Sequence, residues 1–256
     1  MNPANTVTGP LPAAALPPID RDRLAASLRA AVEGEVRFDE VTRALYATDA
    51  SVYQILPAGI LIPRTRQDVI AAVAICREAG VPITARGGGT SQAGQAIGEG
   101  LQIDFSKYLN RVLELNTAER WVRVEPGIVL DELNHALRPH GLRFAPDIST
   151  ASRATIGGMM ANNSAGTRSV VYGKTIDHVL EQTVLLADGT LLEFGPRSPA
   201  EAARIASEPT VEGCLYRTVL DLAAKHRTEI DRRYPKILRR VGGYNLDEFV
   251  DPARPC

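Results

Sequence analysis

Residues 59–95 read GILIPRTRQDVIAAVAICREAGVPITARGGGTSQAGQ, and the alternation of elements within them decides the fold class. Gly59 to Ile62 is a short apolar run of strand length. Thr65 is placed to cap a helix through Ala79, with Gly80 as its stop, and Val81 to Ala85 is a second strand. Val69, Val73 and Cys76 share one helix face, as a helix packed on a sheet requires. The unit is βαβ, with parallel strands and a right-handed crossover expected.

The loop delivered by the second strand, Arg86-Gly87-Gly88-Gly89-Thr90-Ser91-Gln92-Ala93-Gly94-Gln95, stands where α/β proteins meet their ligands. Consecutive glycines leave backbone N–H groups unshielded and can curl them into a nest for an anion. Thr90 and Ser91 add hydroxyl donors, and Arg86 is expected to add charge at the rim, so a diphosphate is the natural occupant. Two other nucleotide loops do not fit. Gly89 to Gly94 has Walker A spacing but continues Gln95-Ala96 without the lysine, and a dinucleotide fingerprint counted from Gly87 and Gly89 needs glycine where Gln92 stands. Alone, the stretch reads equally as a flexible loop.

A second stretch weighs against that reading. Ala145-Pro146-Asp147-Ile148-Ser149 leads to Thr155-Ile156-Gly157-Gly158-Met159-Met160-Ala161-Asn162-Asn163-Ser164-Ala165-Gly166-Thr167-Arg168, and Tyr172-Gly173-Lys174-Thr175-Ile176 follows. Glycines at 157, 158, 166 and 173 would let backbone approach a flat ligand, and Asn162 with Asn163 would offer donors and acceptors to a heterocycle edge. A tightly packed helix start explains Gly157-Gly158 but not the amides after it.

Outward from these loops, Asp20 can cap a helix carrying Leu24, Leu28 and Val32, and a short helix is expected from Asp39 to Tyr46. Leu101 to Phe105 and Trp121 to Glu125 alternate as strands do, and a helix over Val129 to Leu137 ends at Gly141. Val184 to Ala187 and Thr190 to Phe194 flank Asp188-Gly189 as a hairpin, and Ser198-Pro199-Ala200-Glu201 opens a helix by a capping box. Met1 to Pro18, with five prolines, lacks the apolar mass to offset its ordering entropy and reads as a disordered tail.

The chain has 256 residues, 29 basic and 30 acidic, so no net field draws it to nucleic acid or an anionic membrane. Cys76, Cys214 and Cys256 are scattered, as in a reducing compartment, and His135 and His140 are five apart, which does not put two metal ligands on one helix face. No run is long enough to cross a membrane, and no basic residue precedes Arg21, so a cytoplasmic protein is expected.

The ordered series Ile62-Pro63, Pro82, Arg86 to Ser91, Glu125-Pro126-Gly127, Pro146-Asp147, Thr155 to Gly158, Asn162, Ala165-Gly166, Tyr172-Gly173 and Ala187-Asp188-Gly189-Thr190 resembles the FAD-binding domain of the vanillyl-alcohol-oxidase (PCMH-type) superfamily. Within it the likeness is to the D-lactate, glycolate and D-2-hydroxyglutarate dehydrogenase branch. Arg240-Val241-Gly242-Gly243-Tyr244-Asn245-Leu246 resembles long bacterial members that join this domain to an iron–sulfur module.

The resemblance implies an α+β (mixed α/β) fold: a helical leader over 19–51, a small βαβ subdomain over about 52–110, and a larger mixed sheet with helices over 111–256. It implies that Arg86, Gly87, Gly88, Gly89, Thr90, Ser91, Gly94 and Gln95 bind the FAD diphosphate. Pro146, Asp147, Ser149, Thr155, Gly157, Gly158, Asn162, Ala165 and Gly166 would line the flavin and ribityl chain, and Gly173 and Ile176 would contact it through their backbone. No histidine or cysteine lies between Arg86 and Gln95, so non-covalent FAD is expected.

Relatives continue with a further FAD-binding segment, a substrate cap with catalytic and metal-binding histidines, and in some cases iron–sulfur cysteines. This chain ends at Arg254-Pro255-Cys256, so the expectation is a flavin domain that does not oxidise a 2-hydroxy acid alone. The alternatives are a sugar-nucleotide reductase or alcohol oxidase on the same fold, or a non-catalytic assembly fragment.

Overall fold

The computed structural model describes residues 18–237 and 244–250. Most of the proline-rich tail, the stretch Arg240 to Gly243 of the motif running to Leu246, and Cys256 lie outside the described residues.

The first layer is a four-stranded sheet. Its strands are β1 (Glu35–Arg37), β2 (Gly59–Ile62), β3 (Ile83–Arg86) and β4 (Leu101–Asp104), in the spatial order β1-β2-β4-β3. Helices α1 (Arg21–Ala31) and α3 (Arg66–Glu78) pack on it, and α2 (Glu40–Leu45) follows β1 in sequence. The expected caps at Asp20, which accepts from Arg23 N, and at Thr65, which forms a reciprocal capping box with Asp68, are present, and Asp39, read as the start of a helix, is the N-cap of α2, accepting from Thr42 N. Gly80, with φ of +63°, ends α3 as read from sequence.

The two strands of the βαβ unit are parallel, as expected. β2 and β3 run the same way but are not neighbours, because β4 inserts between them and pairs in parallel with both. The reason is burial. Every residue of β2 and β4 is buried, whereas β3 alternates between exposed and half-buried residues. The fully buried strands take the centre and β3 takes an edge. β1 then pairs antiparallel with β2, so the 19–51 leader contributes an edge strand as well as helices.

Leu24, Leu28, Leu61, Ala72, Cys76, Leu101 and Ile103 form the core on the α1/α3 face. Strand alternation sends Gln102 and Asp104 to the other face, where both are buried.

The second layer contains the hairpin β5 (Val112–Asn116)–β6 (Trp121–Val124), helix α4 (Leu130–Leu137) and the short helices α5 (Ile156–Ala161) and α6 (Ser169–Tyr172). Ile128, Leu133, Leu137, Ile156 and Met159 are its core. The hairpin β7 (Gln182–Leu185)–β8 (Leu191–Phe194) turns at Asp188-Gly189, and α7 (Pro199–Ala206) starts on the expected Ser198/Glu201 capping box. Helices α8 (Val211–Lys225) and α9 (Arg227–Arg233) follow, and a 3-10 turn over Leu246–Phe249 is the last described element. The first sheet is parallel but for its β1 edge, and the two hairpins after it are antiparallel, an α+β arrangement.

Candidate functional site

β3 ends at Arg86, so the glycine loop leaves the sheet at its carboxyl edge. The N–H groups from Gly87 through Gln92 donate to no protein oxygen among the described residues. These residues are half-buried or exposed, so their N–H groups are open to an acceptor from outside the protein, the condition an anion-binding nest requires. Ser91 Oγ accepts from Ala93 N and Gln95 N, both at 3.3 Å, and closes the far side of the loop.

The second stretch meets the first along a tight seam. A Cβ on Gly87 would stand 2.1 Å from Thr155 Oγ1, and one on Gly88 would stand 2.1 Å from Arg153 O. At the other end Gln95 Nε2 donates to Asn162 Oδ1 at 3.3 Å. Thr155 is also the N-cap of α5, accepting from Gly158 N. The residues singled out from the two loops thus come together as two walls.

The expected reason for several glycines changes. A Cβ on Gly157 would meet Pro126 Cβ at 2.7 Å, and one on Gly166 would meet Asp147 O at 1.6 Å. These two are glycine because protein packs there. Gly158 is different: its nearest neighbour would be Thr155 Oγ1 at 3.3 Å, which leaves it the open glycine of α5. Gly173, with φ of +81°, terminates α6.

The remaining residues of the second wall are held by their own bonds. Asp147 accepts from Arg168 N at 3.0 Å and from Thr167 Oγ1 at 3.3 Å, which folds 166–168 back onto Pro146, itself buried. Ser149 is exposed and Ala165 half-buried. Ile176 N donates to Asn163 Oδ1 at 3.0 Å, which fixes the amide's orientation and leaves the buried Nδ2 without a partner.

Arg86 requires a correction. Its guanidinium is not at the rim: Nη1 donates to Tyr46 O, Ala96 O and Gln102 Oε1, and Nη2 donates to Thr48 O. The same group lies over the Tyr46 ring, 5.0 Å from its centroid. Sequence reading also passed over residues 46–55, which wrap the loop: Ala50 N donates to Gly89 O, Ala96 N to Asp49 Oδ2, and Tyr53 packs on Gly94. Below it Tyr46 OH donates to Asp104 Oδ2 at 2.5 Å, and burial together with that bond pushes the phenol up. The available signal was Gln102 and Asp104, polar residues in an otherwise apolar strand.

Nothing in this arrangement resembles a metal centre. No group of three His, Cys, Asp or Glu side chains converges among the described residues, and burial pushes the Cys76 thiol up to about 11, so it is inert. No helix among the described residues is long and apolar enough to cross a membrane.

Comparison with known proteins agrees with this geometry. The FAD binding domain family matches residues 57–195, a little over half the chain. The chain is 42% identical to the D-2-hydroxyglutarate dehydrogenase of Pantoea ananatis over 216 residues, covering 83% of this chain and 21% of that protein. It is 31% identical to the glycolate oxidase subunit GlcD of Bacillus subtilis, covering 77% of this chain and 44% of that one. Among solved structures, an alkyldihydroxyacetonephosphate synthase superposes with a TM-score of 0.63 at 23% identity, over 70% of this chain and 39% of that one. p-Cresol methylhydroxylase superposes with a TM-score of 0.58 at 18% identity, over 68% of this chain and 35% of that one. Both share the fold. The chain spans about a fifth of the length of the D-2-hydroxyglutarate dehydrogenases it matches. With a nest of unpaired amides at the end of a strand, a seam joining it to a second small-residue loop, and this match, the chain belongs to the FAD binding domain family.

Proposed function

We propose that this chain is the FAD-holding part of an oxidoreductase acting on a D-2-hydroxy acid, of the D-lactate, glycolate or D-2-hydroxyglutarate class. The observation that carries the reading is the run of unpaired N–H groups from Gly87 through Gln92. Bound FAD would supply the acceptor for the hydride leaving the substrate's hydroxyl-bearing carbon.

The part played by this chain's own residues is binding and orientation. The amides of Gly87, Gly88, Gly89, Thr90 and Ser91 would hold the diphosphate, with Gly94 and Gln95 closing the loop. The second wall, with Pro146, Asp147, Ser149, Thr155, Gly158, Asn162 and Ala165, would border the flavin and its ribityl chain, and Gly173 and Ile176 would present backbone groups to it. FAD would be held non-covalently, since the loop has no histidine or cysteine.

The identity to D-2-hydroxyglutarate dehydrogenases, 42% in Pantoea ananatis and 40% in Pseudomonas putida, supports the choice of branch. The chain's span of about a fifth of those proteins supports a division of labour in which substrate and electron-acceptor groups, an iron–sulfur module among them, are supplied by other segments. A cytoplasmic location belongs to the same reading.

The test is titration of the purified chain with FAD, followed by flavin fluorescence and absorbance. Stoichiometric saturable binding is expected; a folded chain that takes up no flavin at saturating FAD would overturn the proposal.

A further inference from the structure

The Arg86 guanidinium lies against Gly89, where an added Cβ would stand 2.6 Å from Nη2, but both of its terminal nitrogens donate to protein oxygens. The guanidinium donates to the carbonyls of Tyr46, Thr48 and Ala96 and to Gln102 Oε1, at 2.9 to 3.3 Å. Gln102 is fully buried, at 0% exposure, and returns a bond of 3.0 Å from Nε2 to Tyr46 O. Three segments distant in sequence therefore converge on one planar cation: the strap at 46–55, the end of the glycine loop at Ala96, and the central strand at Gln102. The strap in turn fastens the loop itself, through Ala50 N to Gly89 O at 3.1 Å.

We propose that Arg86 is a positioning residue, not a phosphate ligand. With Gln102 it fixes the strap against the glycine loop, so that the nest is formed before FAD arrives. The inference rests on the FAD reading of this site. Its physical basis is the fork of the guanidinium: planar donors spread over acceptors on several sides hold those acceptors at fixed distances, which a lysine ammonium on a flexible stem does not do. A preorganised loop spares the ligand the entropy of ordering it. The strap lies ahead of residues 57–195, the stretch matched by the family, so the proposal extends the site beyond that stretch.

Brace and ligand give opposite results with lysine, which binds phosphate well as a point charge. In the full chain, Arg86→Lys and Arg86→Met should weaken FAD binding alike, by about tenfold or more. The dependence of affinity on salt, read from about 20 to about 200 mM, should stay that of the parent. Gln102→Leu keeps the charge at 86 and cannot touch a ligand, yet should weaken FAD in the same way.

In the flavin-free protein, hydrogen exchange at Ala50 and Ile55, whose N–H groups bond Gly89 O and Ala47 O, should quicken in all three variants. Affinity restored by Arg86→Lys but not Arg86→Met, with a shallower salt dependence in Arg86→Met and unchanged exchange, would overturn the assignment. Failure of the parent chain to bind FAD would count against the proposed function instead, and the exchange measurement alone would then decide the brace.

Discussion

Gly87 and Thr155 are 68 positions apart in sequence, yet a Cβ on the glycine would lie 2.1 Å from the threonine's Oγ1. That contact is the seam between the glycine loop and the second wall, and it doubles as the start of α5, because the same Oγ1 accepts from Gly158 N. The two loops are therefore set by one another.

A double-mutant cycle reads the seam. Gly87→Ala forces an overlap costing about 1–3 kcal/mol or more, and Thr155→Ala removes a helix cap worth about 1 kcal/mol. Because Thr155→Ala also removes the obstructing oxygen, the double variant should be more stable than the sum of the single losses, by at least about 0.5 kcal/mol. Denaturant unfolding of the four proteins checks this; simple additivity would mean that the loops are not in contact.

Two glycines of the second wall should respond oppositely to alanine. Gly166→Ala places Cβ 1.6 Å from Asp147 O, a backbone clash that should unfold or severely destabilise the second layer. Gly158→Ala meets only Thr155 Oγ1, at 3.3 Å, inside a helix, so its stability should change by less than about 1 kcal/mol. Its FAD affinity should nevertheless fall, because the proposed function puts Gly158 beside the flavin. Thermal melts with and without FAD separate the two effects.

Glu35 provides a pH-dependent clip between β1 and the loop after β4. Its carboxylate accepts from Lys107 Nζ, Tyr108 OH and Arg37, and these partners hold it down from 4.5 to about 2. Since the folded pKa is depressed, the stabilisation is complete above the unfolded value and is lost as pH falls from about 4.5 to about 2. Arg37 and Lys107 are half exposed, which screens the effect. Glu35→Gln should lower Tm by only about 2–4 °C at neutral pH, with the gap to the parent closing as pH falls through that window.

The Arg111–Glu125 fork sits behind Pro126, the residue Gly157 packs on. Burial raises the Glu125 carboxyl, but the side-chain and backbone bonds from Arg111 outweigh it and the net shift is downward. Both carboxylate oxygens are engaged, with Nη2 to Oε1 at 2.8 Å and Nε to Oε2 at 3.1 Å. Glu125→Gln should cost about 2 kcal/mol, and Arg111→Lys less, because the ammonium keeps the charge and loses only the fork. Equal losses in chemical unfolding would show that the fork geometry, not the charge, carries the interaction.

What the sequence by itself determined is what short-range chemistry controls. Asp20, Thr65 and Ser198 cap helices where read, because each satisfies N–H groups only three residues away. Asp188-Gly189 turns its hairpin, and the glycine loop leaves a strand end, for equally local reasons. The order of small-residue motifs was enough to carry the FAD-domain resemblance, since its spacing along the chain is itself the signal.

Tertiary structure decided the rest. β4 separates β2 from β3, and β1 closes the other edge of the sheet; strand partners are chosen by which faces must be buried, a property of the assembled layer and not of any one segment. Likewise nothing near Arg86 in sequence says that its charge belongs to Tyr46, Thr48, Ala96 and Gln102, or that Gly157 and Gly166 make room for Pro126 and Asp147. Whether a cation meets a ligand or a carbonyl, and what a missing Cβ makes room for, depends on atoms that only folding brings within a few ångströms.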